Sequence, residues 1–105
     1  MAKEISDAQF AKEVEQDQGV VFVDFWAPWC GPCRMMAPVY DKMSEKYPQI
    51  KFVKVNTTEY TAKAGELGVS GIPCIIVFKN GQEVDRLIGF KPEPSFEQEV
   101  KKYLV

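Results

Sequence analysis

Residues 26–34 read Trp-Ala-Pro-Trp-Cys-Gly-Pro-Cys-Arg (WAPWCGPCR), placing Cys30 and Cys33 three positions apart with Gly31 and Pro32 between them. The residues on either side decide what holds this stretch. Before it, Val20, Phe22 and Trp26 fall on one alternating face and Val21, Val23 and Phe25 on the other. A segment apolar on both faces belongs in the middle of a sheet, covered from both sides. After it, from Gly31 to about Tyr47, Met36, Val39, Tyr40, Met43 and Tyr47 recur at spacings of three and four, the pattern of a long amphipathic helix. Pro38 lies inside that helix and is expected to kink it. Pro32 falls in the first turn, where its missing N–H costs nothing.

Working outward, Ser6 to about Asp17 reads as a helix, with Ser6 and Gln9 at capping-box spacing and Phe10 and Val14 as an apolar stripe. Ile50 to Val55 reads as a second strand, with Val53 and Val55 facing one way and Phe52 and Lys54 the other. Thr58 to Leu67 reads as a weaker helix ending near Gly68. Strand, long helix and strand make a parallel βαβ unit. Cys74 to Lys79 and Glu83 to Ile88 read as antiparallel strands joined by a tight hairpin at Asn80-Gly81. Pro94 and Ser95 introduce a last helix carrying Phe96, Val100, Tyr103 and Leu104. The expected architecture is one α/β domain over residues 1–105, a central mixed β-sheet flanked by helices on both faces.

The chain is long enough to bury a core that needs no disulfide. Apolar residues make up 46 % and charged residues 27 %, as in ordinary globular proteins. With 13 basic and 15 acidic residues the net charge is -2, and no basic block is present to neutralise phosphates, so no nucleic-acid partner is expected. No stretch has the length and apolarity of a membrane span, and the amino-terminal M-A-K-E-I-S-D lacks the features of a secretory leader. The expectation is a cytoplasmic protein, in a compartment where a structural disulfide is rare.

Cys30 lies where the chain leaves a buried strand and enters a helix. Free N–H groups and the helix dipole favour an anion there by about 0.3 to 2 kcal/mol, enough to lower a thiol pKa by about one unit at most. Residues three apart share a helix face, so Cys33 can close a small disulfide ring with Cys30 and the pair can take up and return two electrons. A zinc site is the competing reading of C-x-x-C. A closed site wants four ligands, and the chain has no histidine and one further cysteine, Cys74. No metal is therefore expected within one chain, although a metal or iron-sulfur cluster shared between two chains is compatible with the same cysteines.

The segment Val23 to Tyr40, VDFWAPWCGPCRMMAPVY, resembles the thioredoxin family, and the likeness continues in Gly71-Ile72-Pro73-Cys74, in Phe78-Lys79-Asn80-Gly81 at the hairpin and in Gly89 after the last strand. The Gly-Pro spacer is the specific mark. Related glutaredoxins and disulfide isomerases usually resemble C-P-Y-C or C-G-H-C. The resemblance implies a thioredoxin fold and a protein-disulfide reductase with no bound cofactor, whose working part is a redox-active Cys30–Cys33 pair. Cys30 would attack a client disulfide and Cys33 would resolve the mixed disulfide. Thioredoxin reductase and disulfide-containing clients would be the partners, and the protein would be a monomer carrying electrons in cell redox homeostasis.

Asp24 alternates with Phe22 and Trp26, so burial is expected to raise its pKa and fit it to accept the proton of Cys33. Lys54 matches the family's lysine that approaches this carboxylate. Trp29, Gly31, Pro32, Ile72 and Gly89 would form a flat apolar docking surface. The resemblance also implies a cis Ile72–Pro73 bond, with the backbone of Ile72 pairing with an extended client strand. Cys74 stands where the family usually has threonine and is expected to be a small buried hydrophobe. Its position next to Pro73 also admits a third thiol that competes with Cys33. A redox-independent binding module using the same apolar surface remains the alternative reading of the whole chain.

Overall fold

The computed structural model describes residues 1–104. Five strands form one mixed sheet: β1 (Lys3–Glu4), β2 (Val20–Trp26), β3 (Lys51–Asn56), β4 (Cys74–Lys79) and β5 (Gln82–Ile88), in spatial order β1-β3-β2-β4-β5. β1 and β2 run parallel to β3, whereas β4 runs antiparallel to both β2 and β5. The helices are α1 (Gly31–Lys46), α2 (Ala62–Glu66) and α3 (Glu93–Lys101).

β2 occupies the centre, as its two apolar faces require. Phe22 packs with Phe52, Ile75 and Val77 against Met36, Tyr40 and Met43 of α1 and Phe96 and Val100 of α3. Val21, Val23 and Phe25 pack on the other face with Val53, Val55, Ile76, Phe10, Val14 and Ala64 of α2. Phe22 stacks on Phe52 and meets Phe96 edge-on, the offset and T-shaped arrangements that aromatic quadrupoles favour. The expected mixed sheet flanked by helices on both faces is thus present. Among the described residues no helix is long and apolar enough to cross a membrane.

Several boundaries differ from the sequence expectation. The segment expected as one helix over Ser6–Asp17 is a 3-10 turn at Asp7–Gln9 followed by a wide π turn at Ala11–Glu15. Phe10 and Val14 still face the core, because a spacing of four places both inward in either winding. The expected Thr58–Leu67 helix shortens to Ala62–Glu66. Asn56 takes the preceding residues for a turn, its Oδ1 accepting the Thr58 N–H at 3.0 Å, and Asp7 caps the helix, accepting the N–H groups of Ala62 and Lys63 at 3.0 and 3.1 Å. α1 continues through Pro38 to Lys46. Leu104, expected on the last helix, lies beyond its end and is exposed, whereas Tyr103 still packs on the core.

Candidate active site

The register gathers the site at one end of the sheet. Trp26 at the end of β2 pairs with Asn56 at the end of β3, Phe25 pairs with Cys74 at the start of β4, and Cys74 pairs with Ile88 at the end of β5. The turn into α1, the turn after β3, the loop before β4 and the residue after β5 therefore lie side by side, although they come from residues 27 to 89.

Cys30 caps α1 with extended backbone, and Cys33 lies one turn inside. The two form a disulfide with Cα atoms 5.2 Å apart. The Cys33 N–H points at Cys30 Sγ from 3.2 Å. That amide is one of the free N–H groups of the helix terminus, and it would hold a Cys30 thiolate once the pair is reduced. Cys30 is 5 % exposed and Cys33 2 %, so exposure alone separates the two sulfurs little, and their positions on the helix separate them more.

The turn ahead of the cysteines is tied at three points. The Cys30 N–H donates to Ala27 O at 3.1 Å, the Arg34 guanidinium donates to Pro28 O at 3.0 Å, and the Trp29 indole N–H donates to Thr58 Oγ1 at 3.2 Å. Trp29 is nevertheless 71 % exposed, an anchored apolar surface that burial does not explain. Pro32 is exposed beside it. Across the disulfide, the Ile72–Pro73 bond is cis, and the Ile72 carbonyl oxygen lies 3.8 Å from Cys30 Sγ. Gly89, at a φ of 91° that disfavours other residues, donates its N–H to Pro73 O at 2.8 Å. Trp29, Gly31, Pro32, Ile72, Pro73 and Gly89 thus all stand at the end of the sheet that carries the disulfide.

Beneath this end, Glu4, Lys54, Asp24 and Ile75 are successive cross-strand partners, one row on the α1 face of the sheet. Asp24 is 1 % exposed, and among the described residues neither of its carboxylate oxygens has a hydrogen-bond partner. Burial pushes its pKa up to about 7; the nearby Lys54 charge opposes the rise, and Glu4 and Asp41 add to it. Lys54 is half-buried, with its ammonium 4.7 Å from the centroid of the Trp26 ring.

Cys74 is buried, but on the opposite face, with Val21, Phe25, Ile76 and Phe78. Burial raises its thiol pKa. Although Cys74 follows Pro73 directly, its side chain packs in a different cluster from Cys30 and Cys33, and the small-hydrophobe expectation holds.

Sequence reasoning missed three neighbours of the site. Ile88 is 56 % exposed and lies against Gly71, where an added Cβ would stand 3.2 Å from Ile88 Cγ2. Its position next to Gly89 was the available signal. Thr58 and Glu4 each hold a tryptophan N–H from a distant segment, and nothing local marks them.

A family model described as Thioredoxin matches residues 1–102. "Thioredoxin 1" of Nostoc sp. is 45 % identical over 104 residues, covering 98 % of this chain and 97 % of that protein. "Thioredoxin" of Listeria monocytogenes is 41 % identical over 105 residues, 99 % of this chain and 100 % of the relative. "Thioredoxin M-type, chloroplastic" of Chlamydomonas reinhardtii is 45 % identical over 101 residues, 95 % of this chain and 72 % of the relative.

Proposed function

Because the chain belongs to the thioredoxin family and is a protein thiol-disulfide oxidoreductase acting through its own Cys30–Cys33 pair without a cofactor, we propose the following division of labour among its residues. The observation that carries it is the Cys33 amide aimed at Cys30 Sγ at the start of α1. A Cys30 thiolate attacks one sulfur of a client disulfide; a Cys30–client bond forms and the other client sulfur leaves as a thiolate. Asp24 accepts the proton of Cys33, directly or through water, and the Cys33 thiolate attacks Cys30 Sγ. The second client sulfur departs, two electrons have passed to the client, and the Cys30–Cys33 bond has formed. An Asp24 pKa of about 7 suits a base that must both take and release a proton near neutrality.

Clients dock on the apolar rim of Trp29, Gly31, Pro32, Ile72, Gly89 and Ile88, with the Ile72 backbone offered to an extended segment. The exposure of Trp29 supports this, since a large ring held in place while open to water is suited to a partner surface. Lys54 tempers the charge of Asp24. A thioredoxin reductase returns the pair to the dithiol form. The protein works as a single-domain monomer over residues 1–105, carrying electrons in the cytoplasm, where such a reductant and a free buried thiol can persist.

Insulin reduction by dithiothreitol, followed as turbidity, tests the cycle. The intact protein should accelerate precipitation and Cys30→Ser should not. Undiminished acceleration by Cys30→Ser would refute the assignment of the attacking sulfur.

A further inference from the structure

The row Glu4, Lys54, Asp24 sets one cation between two carboxylates on neighbouring strands, yet the cation closes on the buried one through neither a hydrogen bond nor direct contact. Its ammonium lies instead over the Trp26 ring. That ring is fixed through its indole N–H, which donates to Glu4 Oε1 at 3.2 Å. Glu4 itself sits on the short edge strand β1 and is exposed. A cation over an indole gains about as much as an exposed ion pair, so the ring competes on even terms for the lysine.

We propose that Glu4 is a positioning residue of this site: by anchoring the Trp26 indole it holds the Lys54 ammonium on the ring and keeps it from pairing with Asp24. Among the described residues, the charged and titratable groups around Asp24 are Glu4 on β1, Lys54 on β3, Tyr40 and Asp41 on α1 and Cys74 on β4. Lys54 is the only cation among them. Tyr40 is committed to Val53 O through its hydroxyl at 2.8 Å, and Cys74 faces the other core. Whether the buried carboxyl keeps its proton near neutrality therefore depends on where one lysine lies, and that lysine is held by a residue at the edge of the sheet. The consequence for turnover rests on Asp24 serving Cys33 as base; the clamp itself does not.

The test reads the Asp24 carboxyl carbon by NMR in the oxidised full-length protein across about pH 5 to about pH 9, where no reaction occurs and a carboxyl with a raised pKa changes charge. Glu4→Ala frees the ring and the lysine, and the Asp24 midpoint should fall by about one pH unit, as expected for a carboxylate gaining an adjacent cation. Glu4→Gln removes the charge but leaves a carbonyl to accept the indole N–H, so the fall should be less than half as large. In a Lys54→Met background Glu4→Ala should move the midpoint by only a few tenths, because the coupling runs through the lysine. An unchanged midpoint in Glu4→Ala, equal falls in Glu4→Ala and Glu4→Gln, or equal falls with and without Lys54 would each overturn the proposal. A lowered midpoint with an unaltered rate of mixed-disulfide resolution would remove Asp24 from the reaction while leaving the clamp in place.

Discussion

Asp24 costs the fold stability, and the sign of that cost with pH follows from its surroundings. An unfolded carboxyl ionises at 3.8 and the folded one at about 7, because burial without a hydrogen-bond partner disfavours the charge. Between those values the native chain holds a proton that the unfolded chain has released, so this group's contribution falls as pH rises through the window and is level above it. The gap corresponds to roughly 4 kcal/mol at full expression. Glu13 and Glu97 act in the opposite sense: lysine partners hold their pKa values down, chiefly hydrogen bonding from Lys3 and from Lys46 respectively. A comparison of Asp24→Asn with the parent cancels their effect. The variant should be more stable by about 2 to 4 kcal/mol near pH 8 and by little near pH 4. Urea unfolding at the two pH values checks this; lowered stability at both would contradict the burial account. Alternation along β2 made the burial of Asp24 legible, but its lack of a partner was not, since that depends on where the lysine of a neighbouring strand points.

At the scale of elements, the periodic patterns were readable and the non-local ones were not. β2, α1 and the β4–β5 hairpin follow from apolar alternation, helical spacing and the Asn-Gly pair, and both turn residues take positive φ, 54° and 78°. β1 has two residues, both charged, and exists only because Lys3 and Glu4 pair with Val53 and Lys54. α2 begins where Asp7 caps it from across the fold. The hairpin lies at the end of the sheet away from the cysteines, since Lys79 pairs with Val20 at the start of β2. A Cβ on Gly81 would need φ 78° and would collide with the Glu15 carbonyl. Gly81→Ala should therefore lower the unfolding free energy by about 1 to 3 kcal/mol. The folded variant should keep its rate of insulin reduction; a large loss of rate with little loss of stability would show that the two ends of the sheet are coupled.

Across the whole molecule, the sheet register turns four separated segments into one surface around a disulfide. The cysteine pair and its helix were legible because their meaning is local: a thiol at a helix N-terminus, its partner one turn on. The neighbours that support them, Thr58 under Trp29, Ile88 beside Gly71 and Glu4 behind Trp26, become visible only once the strands are in register. The fold also sets Cys74 apart from the Cys30–Cys33 pair, which packs with Ala27 and Ile72 at the sheet end while Cys74 packs in the core of one sheet face. That separation makes the central claim, an attacking Cys30 resolved by Cys33, directly measurable. Cys33→Ser, reduced and mixed with an excess of a disulfide client, should accumulate a stable covalent complex that reducing agent releases, and peptide mapping should find the client joined to Cys30. Client released at the parent's rate, or mapped to Cys74 instead, would contradict the account.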